Sequence, residues 1–383
     1  MDRRSFIQSA FMGSLLLTKL GESAWAQNYS SYDLNTNFKK SYLVNYHLFS
    51  YDPEAFLAIY DLDAEKIIKV PVVFDPHTIT RVSEDLLVCT EKYGPNAITV
   101  DMKKGRIIAS KKYTDSDQRQ FMGHALYDAS RDIILTTEQM MVPEVNHDKF
   151  KGVVSVRNPR TLEVISSFDS YGHSPHDLIF THDGKIAICN TSGGELAFSK
   201  YMSYWHLENR NVALVNAEDF TLHKRIQMPN NYFCPGHIKR NGDTLVVSGI
   251  YSYLNDVDFL WDHVNWNPII IDKDGHCTEL IQGSYVNEVM DAEYLSTAVH
   301  HEKQIVAMTI PAKNSINIWN LKDQSFLAHI NLPLPKGILV NPQTGDFMVA
   351  TAEGFFTITS DTFQVKNIGL RDVGNGLSHS YIV

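Results

Sequence analysis

The chain has 383 residues, is 44% hydrophobic and 20% charged, and carries a formal net charge of −10. An acidic balance with no Lys/Arg-rich block excludes a sequence-independent grip on nucleic acid, which needs a basic surface. Eleven per cent aromatic content, spread along the chain, argues for a packed structure beyond the N-terminus.

The N-terminus opens with Asp2-Arg3-Arg4-Ser5-Phe6-Ile7-Gln8, continues through an apolar stretch from Ala10 to Leu17, and reaches Ala24-Trp25-Ala26 before Gln27. The last triplet is an A-x-A cleavage pattern, and the paired arginines before Ser-Phe-Ile match a twin-arginine signal; an ordinary secretory signal with two chance arginines is the alternative. Residues 1–26 are therefore expected to be a signal peptide, 27–40 a polar lead-in, and the mature protein periplasmic. No later segment has the roughly 18 apolar residues of a spanning helix, so no membrane span is expected in the mature chain.

From residue 41 the pattern is of short β-strands. SYLVNYHLFS (41–50), AFLAIYD (55–61) and EKIIKVPVV (65–73) come first. A unit then recurs: a first strand, a turn, an apolar second strand, an alternating third strand and a closing fourth. The second strands are LLVCTE (86–91), IILTTE (133–138), IAICNT (186–191), LVVSGI (245–250), IVAMTI (305–310) and FMVATA (347–352). β-branched content and turn residues such as Asp183-Gly184 and Asn241-Gly242 fit four-stranded antiparallel units. First strands begin near His77, His124, His176, His237, Leu295, Gly337 and His379. The first four are 47, 52 and 61 residues apart, the period of a β-propeller blade. The strand after His379 has no partners downstream, and the three N-terminal strands have none upstream. The expected fold is all-β, a seven-bladed propeller over residues 41–383, closed by pairing of the C-terminal strand with the N-terminal three.

Four cysteines occur, Cys89, Cys189, Cys234 and Cys277, with no C-x-x-C. That disfavours a cysteine-based zinc site and c-type haem attachment. Cys89 and Cys189 fall at equivalent points of two apolar strands and read as small buried hydrophobes.

Five histidines at one point of the repeat, His77, His124, His176, His237 and His379, define a ring near the channel mouth. Such histidines are either structural, bonding within their own blade, or ligands of a metal or anion. Neutral imidazole is the commonest metal ligand, and ligation demands convergence of two to four rings. In Tyr171-Gly172-His173-Ser174-Pro175-His176-Asp177, His173 is a further candidate ligand or base, and Asp177 a candidate orienting carboxylate. Glu91 and Glu138 end adjacent second strands and are either added oxygen ligands or exposed or Arg-paired surface groups. The same face is expected to carry three long second-to-third strand loops (140–151, 192–210, 251–267) bearing His147, His206 and His263. Two of these loops are crowded by Tyr201, Tyr204, Trp205, Tyr251, Tyr253, Trp261 and Trp266, a partner surface or a small lid core. Serine-hydrolase elbows, P-loops, dinucleotide fingerprints and H-E-x-x-H are missing from the sequence.

Gly123-His124, Thr136-Thr137-Glu138, Gly152-Val153-Val154-Ser155-Val156, Pro175-His176-Asp177-Leu178, and Asn190 with Gly193-Gly194 carry a family pattern. On these residues the chain resembles the domain of unknown function 1513 family of twin-arginine-exported proteins. It departs from that pattern at Pro235-Gly236-His237-Ile238 and where Thr191-Ser192 interrupt Asn-Gly-Gly. The resemblance implies a periplasmic propeller linked to metal acquisition. Together these readings give three expectations. The first is a transition metal, iron or copper before zinc, held chiefly by His124, His176 and His237, with His77, His379, Glu138 and His173 as further candidates. Its setting is metal uptake or handling, with periplasmic metal-uptake proteins as partners and the chain itself a monomer. The second is a metal-dependent hydrolase, lactonase or lyase, and the third an interaction scaffold with structural histidines.

Overall fold

The computed structural model describes residues 42–47, 56–61, 66–141, 150–191, 210–229, 233–249, 267–281, 293–368 and 381–382. The expected leader and lead-in (residues 1–40), His379, His147, His206, His263 and the aromatic residues of the long loops lie outside the described residues. Strands dominate, and no α-helix occurs among the described residues.

Strands β1 (Tyr42–His47), β2 (Phe56–Asp61) and β3 (Lys66–Pro71) form one antiparallel sheet, flanked on β1 by the C-terminal β28 (Tyr381–Ile382). Leu43 pairs with Ile382 and Val44 with Tyr381. Next come β4 (Pro76–Arg81), β5 (Leu86–Gly94), β6 (Asn96–Asp101) and β7 (Arg106–Lys112), then β8 (Arg119–Asp128), β9 (Ile133–Met141), β10 (Phe150–Arg157) and β11 (Val164–Asp169). These two groups of four are joined because β5 runs past its own partners, and Lys92 and Gly94 pair with Met122 and Phe121 of β8. Four further four-stranded sheets follow in sequence order. They are β12–β15 (Pro175–Phe180, Lys185–Asn190, Asn211–Asn216, Leu222–Gln227), β16–β19 (Pro235–Asn241, Thr244–Gly249, Ile269–Ile271, Cys277–Glu279), β20–β23 (Ser296–His300, Ile305–Ile310, Ser315–Asn320, Phe326–Asn331) and β24–β27 (Ile338–Val340, Phe347–Thr351, Gly354–Ile358, Val365–Asn367). The second and third strands expected from the apolar runs are all present.

Each sheet buries both faces against its neighbours, which explains the near-continuous apolar second strands. Leu57, Ile59 and Val70 pack on Ile79, Leu87, Cys89 and Ile98. Val88 and Ala97 meet Phe121 and Ile134, and Leu135 and Val154 meet Leu178 and Ile188. The series continues through Cys189 with Val247, Ile270 with Met308, and Ile318 with Val349. It reaches Met348, Ala350 and Phe355, which pack on Phe56 and Ala58 of β2. A fully buried Leu or Ile side chain contributes about 1.5–3 kcal/mol, so these inter-sheet layers dominate stability. Cys89 and Cys189 are buried in these layers as expected, and all four cysteines are free thiols.

The first strands of successive sheets lie side by side: β4 with β8, β8 with β12, β12 with β16, β16 with β20, and β20 with β24. Hydroxyls near the ends of second strands clamp each to the next. Thr90 Oγ1 donates to the Gly123 carbonyl at 2.6 Å, and Thr309 Oγ1 to the Lys336 carbonyl at 2.6 Å. Thr137 Oγ1 lies 3.0 and 3.2 Å from the carbonyls of His124 and His176. What sits on the first strands is thereby held at one place.

Candidate metal centre

Four of the five repeated histidines are described, and all four meet. His77, His124, His176 and His237 are 5, 7, 1 and 2% exposed. Their ring centroids are 4.7 Å apart for His124–His176, 4.8 Å for His176–His237, 4.9 Å for His77–His124 and 5.1 Å for His124–His237. His77 lies 5.2 Å from His176 and 6.3 Å from His237. His77, His124 and His176 each offer a ligand atom within 4.8 Å of the others, and so do His124, Asp177 and His237.

A repeated backbone irregularity builds this convergence. In β4, β8, β12 and β16 the pairing with the second strand slips at the histidine: between Pro76 and Thr78, Phe121 and Ala125, Pro175 and Leu178, and Pro235 and His237. Strands β20 and β24, which carry no histidine there, pair without a slip. A bulge re-aims a side chain that a regular strand would point at a neighbouring sheet. The local sequence provides it, since Pro76, Gly123, Pro175 and Gly236 precede the four histidines, and neither residue type favours an unbroken ladder. Gly123 is also needed for space. Its φ is +117°, and a Cβ there would stand 2.5 Å from His77 Cδ2.

The bulge in β8 touches three of the four rings. It carries His124, its Gly123 abuts His77, and its Met122 carbonyl accepts a hydrogen bond from His176 Nδ1 at 3.1 Å. A carbonyl only accepts, so His176 Nδ1 holds the proton and Nε2 the lone pair. Asp177 performs the same service for His124, whose Nδ1 lies 3.0 Å from Asp177 Oδ1. The same carboxylate accepts from the backbone amides of Leu178 (2.8 Å) and Ile238 (3.1 Å), and its Oδ2 is 3.8 Å from His237 Nδ1. In the uncharged ring of His176 the lone pair is therefore on Nε2, and the carboxylate keeps a proton on Nδ1 of His124. The Nε2 atoms of all four histidines are buried, and that of His176 has no hydrogen-bond partner among the described residues.

Burial makes charge costly here. It pushes the His176 pKa well below the ordinary value, helped by Lys92, His124 and His237, and it pushes His237 down to about 4. Burial also pushes the Asp177 carboxyl upward, but His124 and the hydrogen bonds from His124 and His237 outweigh it and hold the group well below the usual range. His176 and His237 are thus uncharged near neutrality, and the carboxylate beside them is ionised. Buried, uncharged imidazoles with fixed tautomers and an orienting carboxylate form a donor set suited to a transition metal.

The other candidates sit elsewhere. Glu138 is fully buried but engaged: Arg157 donates to its Oε1 (2.7 Å), as does Thr136 Oγ1 (2.7 Å), and Tyr113 OH donates to Oε2 (2.7 Å). Arg157 is itself enclosed, bonding the Leu162 carbonyl and Tyr113 OH and lying over the Phe121 ring. Glu138 is thus Arg-paired, but in the interior and not at the surface, where the sequence places that alternative. Glu91 Oε2 accepts from the amide and side chain of Asn96. His173 is half-buried and outside both converging groups. The Met122 carbonyl could not be read from the sequence, because a backbone group carries no sequence signal. An exposed group, Asp272, Asp274 and His276, also converges, but it is a turn whose Asp272 caps its own backbone.

The fold and site define a β-propeller with a buried histidine cluster where its first strands meet. Residues 76–374 match the family described as "Protein of unknown function (DUF1513)", and the chain belongs to that family. No curated protein matches the chain significantly. Among solved structures it is similar to hydrazine synthase of Kuenenia stuttgartiensis, with TM-score 0.59, 12% identity, and coverage of 80% of this chain and 92% of that one. It is also similar to a protein from Lactobacillus plantarum, with TM-score 0.59, 10% identity, and coverage of 90% and 99%. The Cps50 (Swd1) β-propeller domain of Myceliophteria thermophila gives TM-score 0.53, 11% identity, and coverage of 82% and 97%. At these identities the likeness is one of fold.

Proposed function

We propose that this protein is a periplasmic seven-bladed propeller that binds one transition-metal ion, iron or copper, at the histidine cluster, and acts in metal uptake or handling. The convergence of His77, His124 and His176 from three successive first strands carries the reading. An all-imidazole set suits copper, iron or zinc and disfavours magnesium or calcium, which take oxygen. Ring closure is supported by the pairing of β28 with β1 and by the packing of Met348 and Phe355 on Phe56 and Ala58. Export by the twin-arginine route rests on the leader sequence. It suits a protein that folds, and loads its ion, before crossing the membrane. Periplasmic metal-uptake proteins are the proposed partners.

The test is elemental analysis of protein purified from the periplasm and of the same protein incubated with Fe(II), Cu(I) or Cu(II), with a His124→Ala/His176→Ala double variant alongside. Close to one ion per chain is expected for the natural protein and none for the variant. A natural protein that neither retains nor takes up stoichiometric metal would leave the histidines structural and sink the proposal.

A further inference from the structure

We propose that the ion rests on His77, His124 and His176 alone, and that His237, anchored beside Asp177, borders a fourth coordination position open to a small anionic donor. The inference rests on the metal-binding reading and deepens it, because it separates a reactive centre from a storage site. Sites filled by four protein ligands are closed, whereas three protein ligands leave a position for water or substrate.

The four rings are not equivalent. By ring centroid His237 is set apart only from His77, at 6.3 Å, and stands 4.8 Å from His176 and 5.1 Å from His124; the ligand atoms make the division, those of His77, His124 and His176 falling in one converging group. His237 converges instead with His124 and Asp177. Asp177 itself is poorly placed to ligate an ion, since its oxygens already serve the amides of Leu178 and Ile238 and the ring of His124. His237 therefore sits beside the three-imidazole set with its Nδ1 facing the carboxylate and its buried Nε2 on the other side of the ring.

Charge selects the incoming ligand. Lys92 lies on the extension of β5, paired through its backbone with Met122 of the bulge. Its ammonium acts electrostatically on both His176 and His237. At His237 the ionised Asp177 acts more strongly than Lys92 does, so the attraction for an anion comes chiefly from the bound cation, with the ammonium adding to it, and is stronger in a buried site than in water. Small anions such as hydroxide, carboxylates or oxyanions fit that position.

The experiment loads the full-length mature protein with Co(II), whose visible spectrum reports coordination, and titrates it with azide. Saturable change in the Co(II) bands is expected. Replacement His237→Ala should leave Co(II) stoichiometry intact, with affinity changed less than about tenfold, while His176→Ala weakens it about 100-fold or more. Should the His237→Ala protein fail to fold, His237→Gln serves in its place, and the azide titration needs no variant. An azide-silent spectrum, or metal loss in the His237 variant equal to that in His176→Ala, would show a closed four-histidine site and overturn the inference while leaving metal binding intact. Failure of Co(II), iron and copper alike to bind the natural protein would instead overturn the metal reading, and this inference with it.

Discussion

His176 Nδ1 donates to the main-chain carbonyl of Met122, 54 positions earlier and on the neighbouring sheet, at 3.1 Å. One bond thereby fixes the tautomer of one candidate ligand and ties it to the bulge that carries another, His124. The site is consequently as rigid as the contact between β8 and β12, and perturbing either strand is expected to disturb both rings.

Gly123→Ala tests that coupling. The new methyl would stand 2.5 Å from His77 Cδ2 at a φ of +117°, and the ring or the bulge must move. The expected cost is about 1–3 kcal/mol of stability, as for other residues forced into sparsely populated backbone regions, read from urea denaturation. Metal affinity should fall as His77 leaves the cluster, whereas Gly242→Ala, where a Cβ would meet nothing, should leave affinity unchanged.

Asp177→Asn removes the charge that orients His124 and receives two backbone amides. Loss of an orienting partner of this kind typically lowers metal affinity about 10–100-fold. Isothermal titration with the metal is the measurement. An affinity within a factor of two of the natural protein would show that the carboxylate serves only to join β12 and β16.

Glu138→Ala separates the two roles the sequence allows for that residue. Removing it leaves Arg157 buried without its carboxylate partner, which costs about 3–5 kcal/mol. Metal stoichiometry of the folded fraction, measured at low temperature, should be unchanged. Loss of metal from a protein that remains folded would place Glu138 in the ligand set after all.

Acidity should weaken the metal-free protein. His176 and His237 are held uncharged by burial, His237 with a pKa of about 4, whereas an unfolded histidine titrates near ~6.5. Between those values the unfolded chain binds protons that the folded chain refuses. Stability is therefore complete above about pH 6.5 and is lost as pH falls toward 4, by on the order of 3 kcal/mol for His237. Asp177, held low, adds a loss below the unfolded carboxylate value of ~3.9. The groups acting on these sites are His124, Lys92 and Lys239 together with the two histidines and Asp177. Urea midpoints should be level from about pH 7 to 8 and decline below about pH 6.5. A midpoint that rises on acidification would contradict the assigned charge states.

Much of this protein was legible in its residues because strand identity is local. Apolar runs such as LLVCTE and IILTTE are buried on both faces wherever the sheets pack, so they announce strands without knowledge of their neighbours. The recurrence of a histidine after Pro or Gly marked the first strands and, with them, four members of the cluster. The burial of Cys89 and Cys189 followed from the same apolar context. What the repeat could not rank was the partners. Glu138 and Asp177 are both acids near a histidine strand, yet one faces Arg157 and the other His124 and His237.

By itself, then, the sequence determined the strands, their apolar layers and the recurrence of imidazole at one point of the unit, since each depends on residues within a few positions. Only the tertiary structure decided that the rings meet, that Met122 and Asp177 fix their protons, and that His237 stands apart from His77. Those relations join residues 47 to 160 positions apart, and they are set by four strand slips and by the spacing between sheets, which no local pattern encodes.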